Sequence, residues 1–204
     1  NPHAVHTHAY KYGRWDGVRR FLHRPGNRFP TGLLTRVERV LRAEGIPVRI
    51  TRPAPARVSD QPRPALAVTL RDYQVRAAEA ARADPRLILQ LPTGSGKTPV
   101  GAEILRQVGL SALWVVPTKV LLDQTVRAVH ALLPTLAIGR IGAGDLRLGD
   151  ITVGIVASLK ESVGAPFWHQ FGALIIDEAH HASADTWVAV AKAADQAWVR
   201  IGLS

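Results

Sequence analysis

The 204-residue chain contains no cysteine, which excludes disulfide bridges and thiolate metal sites and leaves its redox compartment unread. No run approaches the ~20 consecutive apolar residues of a membrane helix, and no basic-then-apolar signal peptide opens the chain. Carboxylates are scarce in the first third. Residues 1–70 hold 4 Asp and Glu against 13 Lys and Arg, whereas residues 71–204 hold 12 against 13. Nearly all of the net charge of +10 therefore belongs to one end, which points to an acidic partner for that end, nucleic acid or an anionic membrane. Arg-rich codon usage is the competing explanation, since 21 of the 26 basic residues are Arg, but codon bias alone would not sort the surplus to one end. A composition of 47% apolar and 21% charged residues excludes wholesale disorder, collagen-like repeats and coiled coil. The length suits one domain plus a small appendage. Residue 1 is Asn, and Ser204 follows Leu203 without a stop signal, so both ends read as cut.

Aromatic and apolar residues alternate with basic ones from 10 to 24, the pattern of a half-buried strand or hairpin, and Arg24-Pro25-Gly26-Asn27 is a turn. Thr31 is placed to cap a helix whose apolar positions Leu33, Leu34, Val37, Val40 and Leu41 recur at three and four, ending at Gly45. Residues 46–50 read as an edge strand because of Pro47. Four prolines within 52–64 describe a stiff, extended linker. From residue 66 the texture alternates. Helices are predicted over 70–83, 98–108, 119–133 and 184–194, and strands over 86–91, 112–116, 136–141, 151–157, 173–177 and 198–203. Apolar strands separated by helices predict a parallel sheet covered on both faces.

The strongest chemical signal is Leu91-Pro92-Thr93-Gly94-Ser95-Gly96-Lys97-Thr98, between a predicted strand and a predicted helix. Gly94 and Gly96 let the backbone that follows Pro92 curl so that N–H groups of the loop, Thr93 and Ser95 among them, face a triphosphate, with the helix N-terminus adding its positive dipole end. Lys97 reaches the β and γ phosphates, and the Thr98 hydroxyl ligates Mg²⁺. The strict consensus has glycine where Leu91 stands. The second signal is Leu174-Ile175-Ile176-Asp177-Glu178-Ala179-His180-His181, an apolar strand ending in adjacent acids at the sheet edge where ligands of open α/β sheets bind. Asp177 suits Mg²⁺, and Glu178 suits orienting and deprotonating an attacking water. A zinc cluster is the alternative for these acids and histidines, weakened by the lack of an evident third ligand.

Taken together, these two motifs, 80 residues apart, resemble the first motor domain of superfamily 2 helicases and translocases. Further matches fall in order. Leu70-Arg71-Asp72-Tyr73-Gln74 is similar to the adenine-reading Q motif, implying that Gln74 hydrogen-bonds the base and Arg71 stacks on it. Val116-Pro117-Thr118-Lys119, Gly142-Ala143-Gly144 and Ile155-Val156-Ala157-Ser158-Leu159 resemble motifs whose loops grip one nucleic-acid strand by its phosphates, implying roles for Pro117, Thr118, Lys119, Gly142, Gly144 and Ser158. Gly202-Leu203-Ser204 looks like the opening of motif III, and the resemblance implies that His180 and Ser204 couple ATP state to a second motor domain. Tyr12-Gly13-Arg14-Trp15-Asp16-Gly17, Arg19-Arg20-Phe21-Leu22 and Phe29-Pro30-Thr31-Gly32-Leu33 narrow the resemblance to UvsW-like phage recombination helicases, relatives of XPB-type motors.

The resemblance implies an α/β fold: a RecA-like P-loop parallel sheet with helices on both faces over 66–204, a proline-rich linker over 52–65 and a small basic α+β DNA-binding domain over 1–51. It implies ATP and Mg²⁺ as cofactors, DNA, duplex or branched, as partner with RNA not distinguished, a second RecA-like domain in the same polypeptide, and a monomer in the cytoplasm, nucleoid-associated or in the host if phage-encoded. Arg14, Trp15, Arg19 and Arg20 are the expected grip of the first domain, where arginine forks sit beside stacking rings. The same aromatics suit a small core instead. Arg36, Arg39 and Arg42 form either a solvated or a phosphate-binding helix face, and His3, His6 and His8 read as incidental. Two other classes compete: a DNA-binding module whose nucleotide fold is only scaffold, and a small-molecule kinase, which leaves Gln74, Thr118 and the Asp177 to His180 set unexplained.

Overall fold

The computed structural model describes residues 11–14, 16, 21–22, 26–51, 64–162, 165–181 and 185–204. The chain divides into two units, Asn1–Arg52 and Pro53–Ser204. Trp15, Arg19, Arg20, Tyr10, Arg24 and the three N-terminal histidines lie outside the described residues, as does most of the proline-rich stretch.

In the first unit a 3-10 turn, Thr31–Leu33, leads into α1, Leu34–Ala43. The helix thus begins two residues after the position a Thr31 cap implies, because Leu33 N–H bonds to the Pro30 carbonyl and tightens the entry. It ends as glycine dictates. Gly45 takes φ +72°, its N–H bonds to Arg42 O at 3.1 Å, and Ile46 N–H bonds to Leu41 O at 2.9 Å, a Schellman arrangement that satisfies two orphan carbonyls. Two expectations are corrected here. Residues 46–50 form no strand, since no neighbouring strand among the described residues offers them a ladder; of the strand or hairpin expected over 10–24, residues 11–14 are a helix end, a turn and a bend with Gly13 at φ +66°, and most of the rest lies outside the described residues. The Gly26-Asn27 turn is present, both residues at positive φ.

The second unit is built on a seven-stranded sheet: β1 Arg86–Leu89, β2 Ala112–Val116, β3 Ile138–Gly142, β4 Asp145–Arg147, β5 Ile151–Ile155, β6 Ala173–Ile176 and β7 Val199–Leu203. Their order is β1-β7-β6-β2-β5-β3-β4. Every pairing is parallel except β3–β4. That antiparallel hairpin is the departure from an all-parallel sheet. Gly142, Ala143 and Gly144 all take positive φ and reverse the chain onto a short, exposed β4, whose three residues are too few to establish a strand pattern.

Helices α2 Asp72–Ala83, α3 Lys97–Val108, α4 Lys119–Leu132, α5 Val156–Ser162, α6 Ala165–Trp168 and α7 Asp185–Ala193 complete the unit. Alternation along the central strands splits the core in two. Ala112, Trp114 and Val116 join Ala78, Val100, Ile104, Leu122 and Val129 on the α2–α4 face, while Leu113 and Val115 join Leu159, Trp168, Phe171, Trp187 and Val190 on the α5–α7 face. The strand expected over 151–157 stops at Ile155 because Val156 and Leu159 are buried three apart at helical spacing. A continuous apolar run does not distinguish the two periods.

Candidate nucleotide-binding site

Because β1, β2, β3, β5, β6 and β7 run parallel, their C-terminal ends share one edge of the sheet, and the loops leaving that edge carry most of the motifs. The phosphate loop leaves β1. Gly94 and Gly96 sit at φ +76° and +82°, in the left-handed region where a side chain is strained, and Gly96 is the N-cap of α3. The loop is held from below by α2. Tyr73 Oη donates to Ser95 O at 2.6 Å and Gln74 Nε2 donates to the same carbonyl at 2.8 Å. Gln74 Oε1 accepts from Arg71 N–H at 2.9 Å, which fixes the amide's orientation. A Cβ on Gly96 would lie 2.4 Å from Gln74 Nε2, so the buried glutamine occupies the space this glycine leaves. The structure thus gives Gln74 a second task beyond the one expected of it, spending two of its four hydrogen-bonding positions on the loop and the helix start. Arg71 is exposed at the N-cap of α2. Tyr73 is a site residue that sequence reasoning missed; adjacency to Gln74 was its only signal.

Asp177 and Glu178 follow β6. Asp177 N–H bonds to Val115 O at 2.9 Å, continuing the β2–β6 ladder by one residue and fixing where the carboxylate starts. Asp177 Oδ1 accepts from Glu178 N–H at 3.0 Å and Oδ2 from the Trp114 indole Nε1–H at 3.4 Å. Burial pushes the Asp177 carboxyl above its ordinary range, with the Glu178 charge adding to the rise, while the Trp114 and Glu178 hydrogen bonds and the Lys97 charge pull it back. Glu178 has φ +51°, a strained conformation for a residue with a side chain and one that clusters at functional sites. Its carboxylate faces two basic side chains of the site: Lys97 Nζ lies 3.9 Å from Oε1 and His180 Nδ1 lies 3.4 Å from Oε2. The phosphate-loop lysine and the acidic motif, 81 residues apart in sequence, are therefore in contact.

Ser204 sits beside the loop as well. Its N–H bonds to Leu89 O at 3.0 Å and its carbonyl accepts from Leu91 N–H at 2.8 Å, so the end of β7 flanks the entry to the phosphate loop. Gly202 brings β7 against the acidic turn: a Cβ there would lie 2.8 Å from Ala179 Cβ. The remaining candidates are spread along the same edge. Thr118 caps α4, its Oγ1 accepting from Leu121 N–H at 3.3 Å, with Pro117 half-buried before it and Lys119 exposed after it. Gly142 is buried against Ile155, Gly144 is exposed in the hairpin turn, and Ser158 is half-buried in α5. Arg140 pairs with Asp123 of α4 and Asp145 of β4, tying that hairpin down. Arg14, in the first unit, is exposed.

The residues suit a magnesium nucleotide. The Ser95 hydroxyl is buried and has no hydrogen-bond partner, a demand a phosphate oxygen satisfies, and Asp177 and Thr98 offer the hard oxygen donors Mg²⁺ takes. The alternative zinc cluster gains nothing, since among the described residues no group of three or more His, Asp and Glu side chains gathers into a metal cage. No helix among the described residues is long and apolar enough to cross a membrane.

Comparison with known proteins places this geometry. A family model described as type III restriction enzyme, res subunit, matches residues 67–204. The DNA 3'-5' translocase XPB2 of Sulfurisphaera tokodaii is 37% identical over 114 residues, which are 56% of this chain and 26% of that protein. The chain thus spans about a quarter of the length of that curated relative. Among solved structures, the UvsW helicase of bacteriophage T4 superposes with a TM-score of 0.72 at 21% identity, covering 98% of this chain and 79% of the other. The SWI2/SNF2 ATPase core of Sulfolobus solfataricus, solved in complex with dsDNA, gives 0.56 at 18% identity, covering 71% and 33%. Both structural likenesses speak to the fold alone, which is RecA-like.

Proposed function

The chain belongs to the family of the type III restriction enzyme res subunit, with residues 67–204 forming the N-terminal RecA-like region of a superfamily 2 motor, and on that premise we propose that it is the first half of an ATP-dependent DNA translocase or helicase. The observation that carries the reading is the meeting of Lys97 with Glu178 beside the buried Asp177, where a phosphate loop and an acidic strand end face one another. Lys97 and the loop N–H groups hold the triphosphate. Thr98 and Asp177 hold Mg²⁺, which when bound neutralises charge on the β and γ phosphates. Glu178 orients a water in line with the γ phosphorus and takes its proton as the new P–O bond forms and the bond to the β–γ bridging oxygen breaks. Lys97 releases its ion pair with Glu178 to the phosphates, leaving that carboxylate free to act as base. Gln74 and Arg71 receive the adenine. An arginine from a second motor domain completes the charge stabilisation.

Pro117, Thr118, Lys119, Gly142, Gly144 and Ser158 track one DNA strand along the same sheet edge, His180 and Ser204 transmit nucleotide state, and the basic first unit with Arg14, Trp15, Arg19 and Arg20 adds grip on duplex or branched DNA. The relatives named XPB2 and UvsW and the dsDNA complex of the SWI2/SNF2 core support DNA as the substrate. Remodelling of branched DNA in recombination or repair is the role this combination suits. The test is ATP turnover by a polypeptide carrying both motor domains, with and without duplex or forked DNA. Stimulation by DNA that disappears in Lys97→Ala and Glu178→Gln is expected, and equal turnover with and without nucleic acid would overturn the motor reading. The present chain alone is expected to bind nucleotide weakly and turn it over very slowly.

A further inference from the structure

A buried carboxylate that must present fixed lone pairs to a cation needs something to stop it turning, because the Cβ–Cγ torsion of aspartate is broad and two-fold. In this chain both Asp177 oxygens are occupied by donors. Glu178 N–H takes Oδ1, but that donor is part of the turn whose conformation also sets Glu178, so it moves with the acidic motif itself. The independent restraint comes from β2. Trp114 sits opposite Ile175 of β6 in the sheet register, and its indole Nε1–H reaches Asp177 Oδ2. The indole N–H is a donor only and a carboxylate accepts at both oxygens, so the bond holds whichever oxygen it takes and resists rotation of the group away from it.

The ring that carries this donor is itself immobilised. Trp114 is fully buried, and its benzo edge fills the space where Gly101 of α3 has no side chain, a Cβ there coming within 2.4 Å of Trp114 Cη2. The same helix begins at Lys97, so one tryptophan touches both the element that carries the phosphate-loop lysine and the Asp177 carboxylate. We propose that Trp114 is a positioning residue for the nucleotide site, fixing the rotation of the Asp177 carboxylate for Mg²⁺ through its indole N–H. The proposal rests on the reading of Asp177 as a cation ligand.

The experiment uses the chain labelled with ¹⁵N at its five tryptophan indoles. Trp114→Phe keeps an aromatic ring and removes the N–H, and the missing cross-peak assigns Trp114. In the nucleotide-free chain Asp177→Asn is expected to shift that peak. Titrating Mg²⁺ in the presence of ADP, the Trp114→Phe midpoint is expected about tenfold higher than that of the unmutated chain, the scale of effects seen when a partner of a metal ligand is removed. ADP affinity in EDTA stays unchanged, which a general loss of packing would not spare. A Trp114 peak indifferent to Asp177→Asn, or equal Mg²⁺ midpoints while binding persists, overturns the proposal. If Trp114→Phe does not fold, the Trp114 peak is assigned instead through its ring-proton cross-relaxation with Gly101, which it packs against, and the Asp177→Asn comparison then decides. Absence of any Mg²⁺-dependent ADP binding by the unmutated chain would instead overturn the nucleotide reading, and this proposal with it.

Discussion

Gly101→Ala sets two effects of opposite sign against each other, and the structure says which wins. Gly101 lies inside α3 without a positive φ, so alanine gains up to about 1 kcal/mol in helix propensity and reduced unfolded-state entropy. Against this, the new Cβ falls 2.4 Å from Trp114 Cη2 and 3.0–3.1 Å from two further ring carbons, where favourable carbon contacts begin near 3.5 Å. Something must shift by about 1 Å, judged from that same contact distance. The ring has no room, being fully buried between α3 and the sheet, so the site is overpacked at about 1–3 kcal/mol. Net destabilisation of up to about 2 kcal/mol is expected, lowering Tm by up to roughly 8 °C in a chain of this size. Urea unfolding checks it, with the midpoint reduced and the slope unchanged. The sharper measurement is the cycle with Trp114→Phe. Phenylalanine does not extend as far as the indole's benzo ring, so in that background Gly101→Ala should become stabilising, giving a coupling of about 2 kcal/mol. A rise in Tm for Gly101→Ala alone, or additivity within about 0.5 kcal/mol, refutes the packing on which the argument stands.

Gly96→Ala meets both a positive φ and Gln74, so it should abolish measurable ADP binding in isothermal titration while leaving the unfolding transition cooperative. The nearly buried Glu103 is held below the ordinary carboxyl value of 4.5 chiefly by its hydrogen bond from Arg106, with Gln107 assisting. A depressed carboxyl stabilises the fold above its unfolded value, so Glu103→Gln should cost about 1–3 kcal/mol at pH 7, and the gap to the unmutated chain should close as pH falls below 4.5. Arg200 donates to the carbonyls of Ala191, Ala194 and Ala197 at and beyond the end of α7; Arg200→Met should speed amide hydrogen exchange in the last turn of that helix by roughly tenfold, about 1.4 kcal/mol. Salt titration of duplex affinity tests the basic first unit: residues 65–204 alone should bind more weakly and with a shallower slope than the whole chain, and equal binding would remove the first unit from the DNA grip.

How much was legible depended on where the controlling contacts lay. The turn from β1 into α3 could be read directly, because Gly94, Gly96 and Lys97 act within one loop and the apolar run before them has strand length. The β3–β4 hairpin could not. Gly142-Ala143-Gly144 signals a turn, but β4 is three exposed residues whose strand character comes only from pairing with β3. Residues 46–50 failed in the opposite sense, with strand-like composition and no neighbour among the described residues to pair with. Val156 looked like the continuation of β5 because apolar runs lack a period until the face they bury is known.

The candidate site divides along the same line. Residue types and spacing alone singled out Lys97, Asp177 and Glu178, since each belongs to a short motif whose chemistry is carried by neighbours in sequence. That Lys97 and Glu178 pair and that Trp114 restrains Asp177 across 63 residues were decided by the parallel stacking of β1, β7, β6 and β2, and that Gln74 and Tyr73 hold the Ser95 carbonyl by the packing of α2 against α3. A hydrogen bond requires approach within about 3.5 Å, and over such separations only a packed sheet with its strand ends on one edge sets that approach.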